Sequence, residues 1–274
     1  MFILKPLDTS SYNRYKTLLD QGQGDLSFLS DYPKKTHNFY RVYIEDQELG
    51  VLIMTPGVKA YYAYYLVSPS YEEDLIRFCE DHLIRQGAKI LAIGLGGHLG
   101  NRLSLLEARA YKRAFASEHM VYKGSHKTLD HPCIRPYEDK DYVQAHKLYA
   151  QAFHRMRVEV GDFPDSEVEK ESDEMKRKWA ATKDQRWVYE EDHQVLGVMR
   201  VVASELSTVS VAPSHQGKGI GRALVESCMT HILERHDHVD LWCVVGNRAK
   251  KLYSRLGFKV VNKEVYMEKQ VTLE

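Results

Sequence analysis

Two stretches of this chain carry the same landmarks in the same order, and this repetition limits the fold more than any other feature of the sequence. Leu4-Lys-Pro-Leu-Asp8 is echoed by Ile134-Arg-Pro-Tyr-Glu138 at an offset of 130, which also sets Tyr12 on Tyr142 and Leu18 on Leu148. Leu49-Gly-Val51 matches Leu196-Gly-Val198 at 147, and Val67-Ser-Pro69 matches Val211-Ala-Pro213 at 144. Ala110-Tyr-Lys112 matches Gly257-Phe-Lys259, again at 147. The offsets drift as loops of unequal length would make them drift. Two domains of one fold are expected, residues 1–124 and 131–274, joined by the polar, turn-rich stretch 124–132, which has no apolar period.

The second copy holds the segment most suggestive of chemistry, Val211-Ala-Pro-Ser-His-Gln-Gly-Lys-Gly-Ile-Gly221. A strand-like run, Leu206 to Val211, stops at Pro213; Gly217, Gly219 and Gly221 follow at alternate positions, and a helix pattern starts at Arg222. Strand, glycine turn and helix N-terminus together make an anion site, because unpaired backbone N–H groups and the positive end of the helix dipole converge on the turn. Glycine lets the backbone approach a diphosphate without a Cβ between them. Lys218 and Arg222 add positive charge. The P-loop pattern fails because Arg222-Ala223 follows Gly221, and the G-x-G-x-x-G dinucleotide fingerprint fails because the glycines run G-x-G-x-G. A second motif, Gly246-Asn-Arg-Ala-Lys-Lys-Leu-Tyr-Ser-Arg-Leu-Gly-Phe258, follows the apolar strand pattern 239–245. Ala249, Leu252 and Leu256 recur at helical spacing, Gly257 suits a left-handed helix cap, and Phe258 restarts a strand.

Gln216-Gly-Lys-Gly-Ile-Gly221, with its V-x-P lead-in at Val211 and Pro213, resembles the Q/R-x-x-G-x-G/A acetyl-CoA loop of the Gcn5-related N-acetyltransferases. The second motif is similar to that family's N-x-x-A-x-x-L-Y-x-x-x-G-F element: Ala249, Leu252, Tyr253, Gly257 and Phe258 match in register, while the family Asn falls on Gly246, with Asn247 one place late. The resemblance implies an α/β (α+β) fold of two tandem acetyltransferase-like domains, each a mixed, mostly antiparallel sheet flanked by helices. It implies acetyl-CoA as co-substrate, held by Val209, Val211, Gln216, Gly217, Lys218, Gly219, Ile220, Gly221 and Arg222. It gives Tyr253 the role of acid to the departing thiolate, and a backbone N–H in the 209–211 region, Val211 foremost, that of oxyanion donor.

The base follows from position. Strand alternation sets Glu205, Ser207, Val209 and Val211 on one face, where the Glu205 carboxylate can take a proton from the attacking amine. His193 and Tyr189 are alternatives, and an amine of low pKa needs no base. In the family the region 155–179 covers the acceptor side; here it is acidic from Glu159 to Glu174, which reads as a solvated loop or as a rim attracting a cationic amine.

The first copy lacks these features. At offset 144, Glu73, Leu75 and Arg77 stand where the second copy has glycines, and Glu72, Glu73 and Asp74 would repel a diphosphate. Setting Tyr111 on Phe258 puts Leu106 on Tyr253. It reads as a degenerate copy that keeps the fold without the cofactor loop. Ile90-Leu-Ala-Ile-Gly-Leu-Gly-Gly-His-Leu-Gly100 reads as a strand and turn, because Leu99 breaks a G-x-G-x-x-G pattern.

Acidic and basic residues balance at 38 each, with no basic stripe, so no nucleic-acid partner is expected. The tyrosine run Ala60–Leu66 reads as a strand with cross-strand aromatic pairs. Cys79, Cys133, Cys228 and Cys243 have no C-x-x-C spacing; Cys228 and Cys243 read as core, and neither disulfides nor metal is expected. His231, His236, His238 and Asp237 read as a solvated helix end. No leader and no apolar run of membrane-spanning length is present, so a cytoplasmic, soluble chain is expected, as monomer or homodimer. The functional expectation is an N-acetyltransferase working by direct attack of a small-molecule or peptide amine in a ternary complex. The alternatives are a non-catalytic CoA-binding sensor or interaction protein, or an acyltransferase using another acyl-CoA.

Overall fold

The computed structural model describes residues 2–20, 38–56, 60–96, 99–125, 131–161 and 166–271. In chain order the elements are β1 (Phe2–Pro6), α1 (Thr9–Asp20), β2 (Asn38–Ile44), β3 (Gln47–Pro56), β4 (Tyr61–Val67), α2 (Pro69–Arg85), β5 (Ile90–Gly96), α3 (Gly100–Ala108) and β6 (Lys112–Lys123). The second series is β7 (Ile134–Pro136), α4 (Tyr142–Val160), α5 (Asp173–Ala181), β8 (Arg186–Glu191), β9 (Gln194–Val202), β10 (Glu205–Val211), α6 (Ile220–Leu233), β11 (His238–Val244), α7 (Lys250–Arg255) and β12 (Lys259–Gln270). The repeat seen in the sequence is thus a repeat of elements, with α5 the one helix of the second series that has no counterpart among the described residues of the first. The fold is mixed α/β with mostly antiparallel strand pairing, as the sequence implies.

The chain forms two compact units, Met1–Ala116 with Asn262–Glu274, and Ser117–Val261. This division differs from the one expected at 124–131. The reason lies in the sixth strands. β12 runs antiparallel to β5 from Glu264↔Gly96 to Gln270↔Ile90, completing the sheet of the first unit in the order β1-β2-β3-β4-β5-β12. The 117–123 part of β6 runs antiparallel to β11, from His238↔Lys123 to Val244↔Ser117, closing the order β7-β8-β9-β10-β11-β6 in the second. Each half of the sequence supplies the last strand of the other half's sheet. A linear boundary cannot describe that, because strand pairing is set by which edge is free and which face is apolar. Met120 of β6 is buried with Val239, Leu241 and Cys243 of β11.

In the first unit α2 begins at Pro69, directly after β4, so the positions matching the glycine turn are helical there. Glu72 is buried and paired to Arg102 at 3.0 Å, and Leu106 is fully buried. Tyr62 and Tyr64 of β4 meet Tyr266 of β12 edge-on, ring centroids 6.2 Å apart, so the tyrosine run is a strand with cross-strand aromatic contacts. Residues 90–96 are strand and Gly100 opens α3; Gly97 and His98 lie outside the described residues.

The second unit has a core on each face of its sheet. Tyr142, Ala145 and Leu148 of α4 and Trp179 of α5 pack on Val188, Val195 and Val198. Leu224, Val225, Cys228, Met229 and Ile232 of α6 pack on Met199, Leu206 and Val211 from the other face. A 3-10 turn at Asp139–Asp141, opened by a reciprocal capping arrangement between Glu138 and Asp141, leads into helix α4, which is closed by Gly161 at φ 78°.

Candidate functional site

β10 is bound along its length to β9 but to β11 only at its start, through the parallel pair Glu205↔Asp240. Past that point the two strands part. Backbone groups of successive strand residues point to opposite edges. The Ala212 N–H donates to the Leu196 carbonyl at 2.9 Å, toward β9, so the N–H groups of Val209 and Val211 face the other way, into the gap toward β11. The Val211 carbonyl accepts from the Gln216 side chain at 3.3 Å, which ties the turn to the mouth of the gap.

The turn after β10 is built as its glycines suggest, with one difference. Gly217 and Gly219 lie at φ 81° and 92°, a region that side chains disfavour, and a Cβ on either would meet nothing within 4 Å. Gly221 has no positive φ; a Cβ there would touch Val211 Cγ2 at 3.6 Å and Leu252 Cδ2 at 3.8 Å, ordinary contacts. Gly219 caps α6 without a side-chain acceptor, so the first N–H groups of the helix, Ile220 included, are left for an external anion. Lys218 and Arg222 are exposed beside them, Arg222 paired to Glu226 at 2.9 Å. Open space over two left-handed glycines, free helix N–H groups and flanking cations suit a diphosphate.

Tyr253 lies in α7, half-buried against the α6 core, its ring edge-on to Phe258 at 6.0 Å. Burial first, then the Cys243 and Cys228 thiols, push its phenol well above the ordinary tyrosine range, so it holds its proton at neutral pH. Both thiols are buried, as the sequence suggests.

The side chain of Glu205 is not on the face expected for it. A bulge between Leu206 and Thr208 leaves Ser207 unpaired and reverses the alternation. Glu205 therefore shares its face with Thr208 and Ser210, opposite Val202, Arg200 and Val198, while Val209 and Val211 point to the α6 face with Met199. Burial first, then the neighbouring Asp240 carboxylate, raise the Glu205 carboxyl above the usual range. Asp240 itself, although burial opposes it, is held low by a hydrogen bond with His119 at 3.0 Å. Of the alternative bases, His193 is exposed in the β8–β9 turn and Tyr189 is buried beside His131, ring centroids 5.3 Å apart.

On the Glu205 face lies a cavity of about 400 Å³, lined by Tyr149, Met175, Trp179, Arg186, Arg200 and Thr208 among others. Arg186, Arg200 and Thr208 stand in one row across β8, β9 and β10. The sequence reading does not single out these three. The acidic side chains Glu167, Glu171, Asp173 and Glu174 of the 155–179 segment are exposed, whereas the cavity itself carries cations. Among the described residues no group of three or more His, Cys, Asp or Glu is placed to hold a metal ion, and no helix is long and apolar enough to cross a membrane.

The acetyltransferase (GNAT) domain model matches residues 150–272. The peptidyl-lysine N-acetyltransferase YiaC of Escherichia coli strain K12 is 35% identical over 80 residues, 28% of this chain and 52% of that protein, so the match spans about half of the relative's length. Among solved structures, a GCN5-related N-acetyltransferase from Sphaerobacter thermophilus superposes with TM-score 0.69 at 16% identity, covering 99% of this chain and 96% of that one. A tandem GNAT protein from the clavulanic acid biosynthesis pathway superposes with TM-score 0.63 at 12% identity, covering all of both chains. These structural likenesses show a shared fold, two-copy architecture included.

Proposed function

We propose, from the match of residues 150–272 to the acetyltransferase (GNAT) domain model, that this chain moves an acetyl group from acetyl-CoA to a primary amine by direct attack in a ternary complex, with the second unit as the catalytic one. Bound acetyl-CoA supplies an activated thioester; everything else falls to side chains and backbone groups of this chain. The observation that carries the reading is the parting of β10 from β11 beyond Glu205↔Asp240, which aims the Val209 and Val211 N–H groups into a gap leading to the glycine turn.

In this reading the N–H groups of Gly217 to Gly221, with Lys218 and Arg222, hold the diphosphate, and Gln216 fixes the turn against Val211. Val209 N–H pairs with the pantetheine arm, and Val211 N–H donates to the thioester oxygen as negative charge grows on it. Glu205, its basicity raised by burial and by Asp240, takes the amine proton directly or through water. Tyr253, kept protonated by its buried setting, gives a proton to the departing thiolate. The first unit has a helix where the turn would be and Leu106 in place of the phenol, and takes no part in the chemistry. The acceptor is a small-molecule or peptide amine; the relative's name, a peptidyl-lysine acetyltransferase, keeps the peptide class open.

Calorimetric titration of the full chain with acetyl-CoA tests this. One site per chain, abolished by Gly219→Glu, is the expected result. Two sites would make the first unit a working copy, and no binding would sink the proposal. Binding without consumption of acetyl-CoA across an amine panel would leave a non-catalytic CoA-binding protein.

A further inference from the structure

Two arginines on the Glu205 face form no salt bridge among the described residues, and their setting has a chemical meaning. Arg186 of β8 stands directly opposite Arg200 of β9, on the same face. Like charges placed so oppose one another. Arg186 is only 8% exposed. It donates to the Thr182 carbonyl at 3.0 Å and to the Thr182 hydroxyl, and lies over the Trp179 ring at 4.5 Å. Arg200 donates through Nε and Nη2 to the Gln185 side-chain oxygen at 3.0 and 2.8 Å. Every one of these partners is neutral. Among the described residues neither guanidinium has an ion pair, whereas Arg102, Arg109 and Arg135 each have a carboxylate within 3.0 Å. Burial first, then Arg200, bring the Arg186 guanidinium down to about 10. A buried charge without a partner is strongly disfavoured, so a fold that keeps one has a use for it.

We propose that Arg186 and Arg200 form a carboxylate clamp, and that the acceptor of this chain is an amine that also carries a carboxylate on a largely apolar body. The guanidinium fork matches a carboxylate through paired N–H···O bonds, and Arg186 Nε and Nη2 and Arg200 Nη1 are not engaged by the described residues. The rest of the wall is mostly apolar, with Trp179, Met175, Tyr149 and Val198, beside Thr182, Thr208 and a Lys178 already paired to Glu174, and about 400 Å³ suits a ligand of amino-acid size. The face also sorts charge along its length. Cations stand at Arg186 and Arg200, and Glu205 lies beyond Thr208 on the same face of β10. A zwitterion fits that order, its carboxylate on the arginines and its amine toward Glu205. The direction of the amine rests on the acetyl-transfer reading; the clamp does not.

The test uses the full-length protein, apolar L-amino acids with their primary amides as acceptors, and N-acetyl-L-phenylalanine with its amide as binding probes. The acids are expected to show kcat/KM values at least about tenfold above those of the amides, although an amino amide, with its lower amine pKa, offers more free amine at neutral pH. N-acetyl-L-phenylalanine should bind about tenfold more tightly than its amide, the effect of one charge-assisted pair. Arg200→Gln and Arg186→Met should each remove that preference and leave the acetyl-CoA Kd unchanged; Arg200 is partly exposed, so its variant guards against a failure of the other to fold. Equal use of acids and amides, no binding of the acid, or a preference that survives both substitutions would overturn the clamp. If acetyl-CoA fails to bind while the acid probe still does, the acetyl-transfer reading falls and the clamp stands; the converse result sinks the clamp alone.

Discussion

The three glycines of the turn look alike in the sequence and differ in the structure, so the same substitution at each should separate two physical roles. Gly219 lies at φ 92°, where alanine is strained by about 1–2 kcal/mol. Gly221 is the second residue of α6 without a positive φ, and its Cβ would rest at 3.6 Å from Val211 and 3.8 Å from Leu252. Replacing either glycine by alanine also narrows the unfolded ensemble, a stabilising effect of about 0.4–1 kcal/mol that is common to both and cancels in their difference. What remains is the strain. Gly219→Ala should therefore be about 1–2 kcal/mol less stable than Gly221→Ala, which at roughly 2–4 °C per kcal/mol is a gap of about 2–8 °C in Tm. Gly221→Ala should stand level with or above the parent, since alanine in a helix is better than glycine by about 0.5–1 kcal/mol. Gly217→Ala, at φ 81°, should behave like Gly219→Ala. Thermal melts of the four proteins, each repeated with saturating acetyl-CoA, give both readouts. Acetyl-CoA should raise the Tm of the parent and of Gly221→Ala alike, and of the other two less, because their new methyl groups enter the open space above the turn. Equal melting of all three variants, or a Gly221→Ala that melts lowest, would refute the assignment of backbone roles.

Tyr253→Phe should lower kcat by about 10²–10⁴-fold, the usual range for a positioned proton donor, with the acetyl-CoA Kd unmoved in calorimetry. The Glu205 carboxyl is raised by burial and by Asp240, so kcat/KM should fall as pH drops through a value above the usual carboxylate range, and Glu205→Gln should erase that limb of the profile. The linkage sign runs opposite for stability. A raised carboxyl pKa contributes stability that is present below the ordinary range and lost as pH rises through the folded value, so Glu205→Gln should melt higher than the parent at neutral pH. Arg186→Met should melt no lower than the parent at low salt, since it removes a buried charge facing Arg200; a large loss of Tm would give Arg186 a structural role. Leu106→Tyr in the first unit should create no second acetyl-CoA site, because α2 leaves no turn there to hold a diphosphate; a second site by titration would contradict that.

What the sequence discloses here is local, and what it hides is register. The turn at 216–221, the helix after it and the strand–helix–strand run ending at Phe258 are legible because glycine placement and apolar period are properties of neighbouring residues. The exchange of sixth strands is not, since β6 and β12 carry the same kind of apolar pattern and either would fit either sheet by composition. The face of Glu205 is hidden for a related reason. Alternation is a safe rule until one residue is left out of the ladder, and nothing in Leu206-Ser-Thr208 marks Ser207 as that residue.

The same logic explains why the arginine row escapes a linear reading. A regular hairpin closing at Glu191↔Gln194 would set Arg186 opposite Met199; the shift between Tyr189 and Glu190 moves it by one, opposite Arg200. On the other side of β9, the shift at Ser207 brings Thr208 rather than Val209 opposite Arg200 and turns Glu205 to the same face. Two one-residue shifts, one in each ladder of β9 (Leu196 of β9 left out against β8, Ser207 of β10 left out against β9), thus gather Arg186, Arg200, Thr208 and Glu205 onto one surface, and leave Val209 and Val211 under α6. Either bulge alone would break the set: without the first the guanidinium groups do not face each other, and without the second the carboxylate lies on the far side of the sheet from them. Bulges interrupt ladder hydrogen bonds and re-aim side chains, and they gather at sites where a side chain must be re-aimed. Two of them converging on one row of arginines without salt bridges support the proposal that this row meets a ligand.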